Sequence, residues 1–574
     1  MTTITKSNLM EKQWKLLETD ETIVQQLEKK LGIHPIFCRL LVQRGITTPE
    51  QVKQFFQPKL KQLHDPFLMK DMDKAVERLE RAIQNNEKIL LFGDYDVDGT
   101  TSVALLYSFL QRHHSNLDYY LPDRYKEGYG LSFEGIEYAQ ENDVKLLITL
   151  DCGITAIDQV QRANEYGIDV IICDHHLPEK QLPKANAVLD PKRPDCNYPF
   201  KELSGCGVGF KLAQAYVEKN GLDWRQLEDL LDLLVISIAS DIVPIVDENR
   251  VLAYFGLQKL NSTKRLGLRA LINLSRREPP LTISDIVFGI GPMINAAGRL
   301  ADAEKAVRLM LSVEKGVAAD YARVLDYRNQ MRKEFDQRIA EEARKLVQQD
   351  PLWQDRKSIV LYQSHWHKGV VGIAAARMVE EYHRPAIIFT ESEGKIVGSA
   401  RSIKGFDIHE AIGMCKDLLI SYGGHAHAAG LSLYPENLVF FQERFEAVVE
   451  TLASEEIFVP EIPISAEIDL KDITPHFWDT LRQFAPFGPG NRNPNFVVRQ
   501  VRDTGYSRLL RGNHLRIAVG QPDSAAQYGV AFGRGDDFEK VKTRKPFDIC
   551  FNLQENRWEG NSYLQLMVKD MKFG

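Results

Sequence analysis

The chain has 574 residues, 44% of them hydrophobic and 26% charged, with a formal net charge of -7 at pH 7. A single hydrophobic core stops growing well below this length, so several domains are expected, and no run of twenty apolar residues offers a membrane span. The acidic balance excludes a histone-like coat of positive charge, the N-terminal MTTITKSNLMEKQWKLLE lacks the apolar core of a secretory signal, and the seven scattered cysteines form no CxxC pair, which together read as a cytoplasmic protein without a disulfide framework.

Residues 1–75 read as polar helices punctuated by Pro35 and Pro58, with no chemistry of their own. From Lys88 the pattern changes. ILLF (89–92), KLLITL (145–150) and DVIIC (169–173) alternate with helical stretches, the pattern of a parallel sheet covered by helices. This α/β region is expected to span 76–300, with LLDLLVISIAS (230–240) as a buried helix. Neither Gly nor Pro occurs between Val317 and Asp350, so a linker helix of up to about 50 Å is predicted within 301–350. In 351–460, SIVLYQ (358–363) and AIIFT (386–390) read as strands around the helix GVVGIAAARMVEEY (369–382), a second, smaller α/β domain. In 461–574 short alternating strands such as FDICFNLQ (547–554) and SYLQLMV (562–568) predict a small β-barrel.

The segment LFGDYDVDGTTS (91–102) places Asp94, Asp96 and Asp98 at every second position after an apolar strand, with hydroxyl residues suited to cap a helix starting near Val103. If the strand continued, all three carboxylates would point the same way, and like charges so crowded call for a divalent cation. An acidic loop with Asx turns is the competing explanation. Asp151 follows KLLITL and Asp174-His175-His176 follows DVIIC, so three strands end in potential ligands at one sheet edge, where open α/β folds place their active sites. Asp241, after an otherwise apolar helix, needs a compensating charge if buried.

Oxygen ligands with one or two imidazoles suit Mn²⁺ or Mg²⁺, one or two ions, better than structural zinc. Two ions would generate hydroxide from water and clamp a phosphodiester during in-line attack. Of the adjacent histidines, one would bind metal and the other face substrate as donor or general acid. Two basic runs stand out: Lys264, Arg265, Arg269, Arg276 and Arg277, then Arg492, Arg499, Arg502, Arg508, Arg511 and Arg516 with Tyr506 among them. Both fit solvated domain faces, and the second also fits a single-strand track. Phe484, Phe487 and Phe496 are assigned to the barrel core.

These elements in this order resemble the DHH phosphoesterase superfamily. GSARSIKGFDI (398–408) and YGGHAHAAG (422–430) resemble its accessory DHHA1 domain, and RQFAPFGPGNRNPNF (482–496) resembles the entry to an OB-like nucleic-acid-binding barrel. With PDRYKEGYGL (122–131) and GPMINAAGRL (291–300), the likeness reaches the superfamily's bacterial exonucleases specific for single-stranded DNA. The resemblance implies a metal-dependent 5′→3′ exodeoxyribonuclease that releases 5′-mononucleotides in recombination and repair.

Residue by residue, the resemblance implies metal ligation by Asp94, Asp96, Asp98, Asp151, His175 and Asp241, and catalytic roles for Asp98, Asp151 and His176, the last at the scissile phosphate. It also implies a site for the DNA 5′ end and nearby phosphates, formed by Arg124, Arg299, Ser399 and Arg401 and lined by Gly423, Gly424 and His425. Phe92 stands where simpler members carry a ligand histidine, which leaves the number of ions open. Single-stranded DNA, single-strand-binding protein and a RecQ-type helicase are the implied partners of a monomer. A phosphodiesterase for short RNAs or cyclic dinucleotides would need neither the barrel nor the N-terminal region, and a catalytically dead scaffold would have lost the ligands that are intact here.

Overall fold

The computed structural model describes residues 12–299, 303–353, 355–558 and 561–574. The first eleven residues of the predicted helical region, the end of GPMINAAGRL at Leu300, and the start of the predicted linker at 301–302 lie outside the described residues. The chain forms two units, one of Leu16–Arg328 with Ile464–Gly574, the other of Asn329–Pro463 with the segment up to Lys15.

The larger unit contains a five-stranded sheet built from Ile89–Gly93 (β1), Leu117–Tyr120 (β2), Leu146–Leu150 (β3), Asp169–Cys173 (β4) and Ala187–Leu189 (β5), all parallel, in the order β2-β1-β3-β4-β5. β1 and β3 are buried at every position, as strands covered on both faces must be. Gly93 pairs with Leu150, and Leu150 with Cys173. The residues that follow, Asp94, Asp151 and Asp174, therefore leave the sheet side by side at its carboxyl edge.

One expectation fails here. The helix after β1 spans Val97–Leu110 (α1) and starts six residues before Val103, with Asp96 as its cap: Asp96 Oδ1 accepts the Gly99 N–H at 3.1 Å. A carboxylate in extended conformation at the turn satisfies the first free amides before the hydroxyls can. Thr100, Thr101 and Ser102 instead turn back onto the carbonyls of Asp96, Val97 and Asp98, at 2.6, 2.6 and 2.7 Å. Asp94, Asp96 and Asp98 thus occupy a turn, a cap and a first helical turn, not one face of a strand. α1 is buried nearly all round and packs against Gly205–Lys219 (α2) and Leu231–Ser240 (α3), the predicted buried helix, with Asp247–Asn261 (α4) behind α3.

In the same unit, strand Phe496–Asp503 pairs with Phe547–Trp558, which pairs with Asn561–Phe573; then come Gln527–Ala531 and His514–Gly520, and the last pairs back to the first through Arg502 and Asp503. The pairing closes a ring of five strands, the predicted barrel. Helices Glu21–Leu31 and Pro35–Val42 share its core: Leu27, Phe37, Leu40 and Leu41 are buried with Phe477, Phe484 and Phe496, and the rings of Phe37 and Phe477 lie 4.8 Å apart. The N-terminal region also holds a strand, Gln13–Leu16, that its polar pattern did not announce.

The smaller unit carries a mixed sheet in which Ile359–Tyr362 and Ala386–Ser392 are parallel and Lys395–Arg401, Ala428–Leu433 and Ser421–His425 add antiparallel strands. Its helix Val371–Tyr382 lies where the Ala-rich segment predicts. A 35-residue helix, Lys315–Gln349, realises the predicted linker at about 52 Å. All seven cysteines are buried free thiols, and among the described residues no helix is long and apolar enough to cross a membrane.

Candidate metal centre

Four elements converge beyond the carboxyl edge of the sheet. Asp98, in the first turn of α1, is buried and held at the N-terminus of α2: its Oδ2 accepts the Gly205 N–H at 2.7 Å, and its Oδ1 accepts the Cys206 N–H at 2.9 Å and the Ser237 hydroxyl at 2.7 Å. A helix N-terminus favours an anion at that position. Gly205 permits the approach, since a Cβ there would stand 2.5 Å from the Asp151 Cβ. Asp151 itself has a left-handed backbone, φ 61°, an uncommon conformation for a residue with a side chain, and such outliers gather at functional sites.

His175 carries the decisive geometry. Its Nδ1 lies 3.0 Å from the Leu203 carbonyl, so Nδ1 bears the proton, and burial holds the ring below the ordinary imidazole range, hence neutral. The Nε2 lone pair then faces Asp151 Oδ1 at 3.2 Å, Asp241 Oδ2 at 3.7 Å and Asp98 Oδ2 at 3.8 Å. These contacts are not ion pairs. A lone pair among carboxylate oxygens is repulsive unless a proton or a metal cation sits between them, and a carbonyl fixing the far nitrogen is the usual support of a ligating imidazole. His175 Nε2, Asp151 Oδ1 and Asp94 Oδ2 are buried and have no hydrogen-bond partner. Donor atoms of Asp98, His175 and Asp241 lie within 4.8 Å of one another, close enough to share an ion, and those of Asp151, His175 and His176 are spaced as closely. The donor set fits a divalent cation with oxygen-rich ligation.

Burial, with the charge of Asp98 next, raises the pKa of Asp96, Asp151 and Asp241, the last to about 8; burial and the charge of Asp96 raise Asp94. Without metal, the folded chain therefore holds protons that an unfolded chain releases near pH 4. Metal-free stability is expected to fall as pH rises from about 5 to about 8, and a bound divalent ion to remove that fall. Thermal unfolding with chelator and with Mn²⁺ across this window checks it: the gap in Tm should widen with pH, and a metal-free Tm that climbs instead contradicts the cluster.

His176 behaves oppositely to its neighbour. Burial disfavours its charge, but its Nδ1 lies 2.7 Å from Asp174 Oδ1 and the bond and charge of Asp174 prevail, pushing the imidazole up to about 9. Asp174 is held down at about 2, against its burial, by that bond and by the Ile154 N–H on Oδ2 at 2.9 Å. The other imidazole nitrogen lies 3.0 Å from the Tyr129 hydroxyl. At neutral pH His176 is thus a half-exposed cation at the rim.

A cleft of about 190 Å³ opens beside the carboxylates, lined by Asp94, Tyr95, Asp96, Arg124, Tyr129, Asn295, Gly298 and Arg299. Arg124 stacks over the Tyr95 ring at 5.0 Å. Arg299 ends the helix Gly291–Arg299, and its carbonyl accepts the Tyr125 hydroxyl. Both predicted arginines are therefore brought to the cluster, and planar guanidinium forks suit phosphate. Ser399, Arg401, Gly423, Gly424 and His425 lie in the smaller unit, where the register aligns Gly423 with Gly430 and Ser399, and His425 with Ala428 and Arg401. Arg401 Nη1 donates to Ser399 Oγ at 3.0 Å.

Phe92 is fully buried and stacked on Tyr120 at 5.5 Å, so that position offers no ligand. Arg265 is tied to Asp232 at 3.0 Å and Arg499 to Asp548 at 2.8 Å, which makes part of each basic run structural. Sequence reasoning missed Ser237, Asn295 and the contact of Tyr129 with His176. Tyr129 stood inside PDRYKEGYGL and could have been flagged there; Ser237, in an apolar helix, had no local signal.

Family models match residues 88–238 (DHH family, N-terminal domain), 355–451 (DHHA1 domain) and 464–570 (RecJ OB domain). The chain is 36% identical to the single-stranded-DNA-specific exonuclease RecJ of Bacillus subtilis, covering 97% of this chain and 70% of that protein. With the exonuclease of the same name from Haemophilus influenzae the identity is 34%, over 93% of this chain and 96% of the other. Among solved structures, RecJ in complex with Mn²⁺ from Thermus thermophilus superposes with a TM-score of 0.84 at 28% identity, covering 98% of this chain and 80% of that one. A likeness of this extent, over all three matched domains, shows that the chain belongs to the RecJ family of single-stranded-DNA-specific exonucleases within the DHH phosphoesterases.

Proposed function

We propose that the protein degrades single-stranded DNA from the 5′ end, hydrolysing each phosphodiester to release a 5′-mononucleotide, with Mn²⁺ or Mg²⁺ held by Asp94, Asp96, Asp98, Asp151, His175 and Asp241. The observation that carries this reading is the neutral His175, whose lone pair faces three carboxylate oxygens. One or two divalent ions there supply Lewis acidity toward the phosphate and a nucleophile at neutral pH. His176, kept protonated by Asp174, donates a hydrogen bond to the scissile phosphate as charge develops on it. Asp98 and Asp151 fix the reaction centre through the α2 N-terminus and the β3 edge. Arg124 and Arg299 bind the 5′-terminal phosphate, and Ser399, Arg401, Gly423, Gly424 and His425, within the smaller unit, bind DNA phosphate.

The domain extents fit this division of labour: an N-terminal region at 1–75, a catalytic domain at 76–300, a linker at 301–350, an accessory domain at 351–460, and a barrel at 461–574 that guides the strand. Exposed Tyr506 and Tyr528, the latter under Arg516 at 5.4 Å, suit stacking of bases beside a charged backbone. We infer that the enzyme works in recombination and repair in the cytoplasm as a monomer, with single-strand-binding protein and a RecQ-type helicase as partners, a reading supported by the family resemblance.

Single strands labelled at either end, incubated with Mn²⁺, test the polarity. The 5′ label should appear in mononucleotide within the first turnovers while the 3′ label stays on shortening strands. Early release of the 3′ label would overturn the direction. Arg124→Ala should raise KM for 5′-phosphorylated strands more than for 5′-hydroxyl strands.

A further inference from the structure

Asp241 reaches the cluster from a short turn. Its N–H closes α3 on the Ser237 carbonyl at 2.9 Å, Ile242 takes a left-handed conformation (φ 60°), and the chain runs through Pro244 and the buried Ile245 to the start of α4. Asp241 is partly exposed and Ile242 is 61% exposed, so the position of this turn depends on what anchors the Pro244–Ile245 end. One anchor is local: Asn249 Nδ2 donates to the Pro244 carbonyl at 3.0 Å.

The second anchor comes from the barrel segment. The loop Pro486–Asn491, within the motif RQFAPFGPGNRNPNF, lies flat on residues 244–246. The Ile245 N–H donates to the Pro489 carbonyl at 2.7 Å. A Cβ on Gly488 would stand 2.5 Å from Ile245 Cγ1, and one on Gly490, whose φ is 71°, would stand 2.9 Å from Val246 Cγ1. Both glycines are therefore needed for the approach itself.

The loop is also stiff. Gly488 and Asn491 exchange backbone hydrogen bonds at 3.0 and 3.1 Å, and Asn491 Nδ2 donates to the carbonyls of Phe484 and Pro486, both at 2.8 Å. Asn491 Oδ1 accepts from Arg44 Nε at 2.6 Å, which ties the N-terminal helices to the loop. Arg250 of α4 donates to the Phe484 carbonyl at 3.0 Å.

We propose that the Pro486–Asn491 loop is a positioning element for Asp241, so that metal affinity in the catalytic domain depends on a loop that carries no ligand and belongs to the barrel segment. The proposal rests on the reading of Asp241 as a metal ligand. Partners that orient a ligand rather than bind the ion typically govern metal affinity in this way.

The test uses the full chain. Gly488→Ala should weaken Mn²⁺ binding, read from the electron paramagnetic resonance of free Mn²⁺, by about tenfold or more, within the range known for such supporting residues. In metal-free protein it should speed hydrogen exchange at the Ile245 amide, while KM for single-stranded DNA stays unchanged. The double variant Gly488→Ala with Ile245→Ala removes the clashing Cγ1 and should recover most of the lost affinity. A merely structural role for the loop would instead lower Tm and raise KM for DNA with Mn²⁺ affinity of the folded protein intact, and that result overturns the proposal, as does a double variant that recovers nothing. If Gly488→Ala folds poorly, Ile245→Val removes Cδ1, which lies toward the same glycine, without a clash and should weaken Mn²⁺ binding in the same direction; unchanged affinity there overturns the proposal too. Asp241→Asn separates the two ideas: unaltered Mn²⁺ binding in that variant removes the ligand reading and the proposal with it, whereas weakened binding beside an unaffected Gly488→Ala removes the positioning role alone.

Discussion

Asp151→Asn is expected to lower single-turnover hydrolysis of a 5′-labelled strand on the order of 10³-fold or more, because a charged group of the reaction centre is lost, and at the same time to raise the Tm of the metal-free protein. The two effects have one cause. Asp151 is buried against Asp98, Asp96, Asp241 and Asp94, and burial with those charges holds its carboxyl far above the usual range. Asparagine is neutral without the proton that this carboxyl must take up when the metal-free chain folds, but it offers no negative charge to the cation. Asparagine tolerates the left-handed backbone at this position nearly as well as aspartate, so the substitution isolates charge from backbone strain. Full activity in the variant, or a metal-free Tm that falls, would refute the assignment of Asp151. Asp98→Asn is a harsher test, since the Gly205 and Cys206 amides donate to its two oxygens and a side-chain amide can offer only one acceptor.

For His176→Gln the expected loss in kcat is roughly 10²- to 10³-fold, the range of a positioned proton donor, with little change in Mn²⁺ affinity, because the ring stands at the rim on Asp174 and Tyr129. The companion variant Asp174→Asn works through the same ring. It removes the charge and weakens the bond that push His176 up to about 9, so the imidazole should titrate lower, toward the ordinary value near 6.5. The sign is fixed: a cation that is active when protonated loses activity as pH rises through its pKa, so the alkaline limb of the rate profile should move to lower pH in Asp174→Asn. Imidazole proton resonances in metal-free protein provide the independent measure. An unshifted His176 in that variant would mean that another group holds its charge.

Much of the site could be read without a structure because it follows from short-range rules. An apolar strand ends, a carboxylate follows, and parallel pairing of β1, β3 and β4 makes those ends level. Asp94, Asp151 and the Asp174-His175-His176 run are therefore neighbours by periodicity and pairing alone, and the absence of Gly and Pro between Val317 and Asp350 announced the long helix. The start of α1 was misplaced because a helix cap and a continuing strand leave the same alternation of acids, and only the backbone conformation of Asp96 separates them.

What the chain order left open was every contact between segments distant in sequence. The charge of Asp98 is held by amides 107 and 108 positions later and by Ser237, and the tautomer of His175 by the carbonyl of Leu203, 28 positions on. No local pattern encodes those pairings, since amides, hydroxyls and carbonyls are available at almost any position. The packing of the N-terminal helices on the barrel and of the Pro486–Asn491 loop on the Asp241 turn belongs to the same class. Sequence by itself determined which acidic and imidazole residues stand at which strand ends. Tertiary structure decided which of their atoms are satisfied and which are left buried without a hydrogen-bond partner, because that depends on where distant backbone donors and acceptors come to rest.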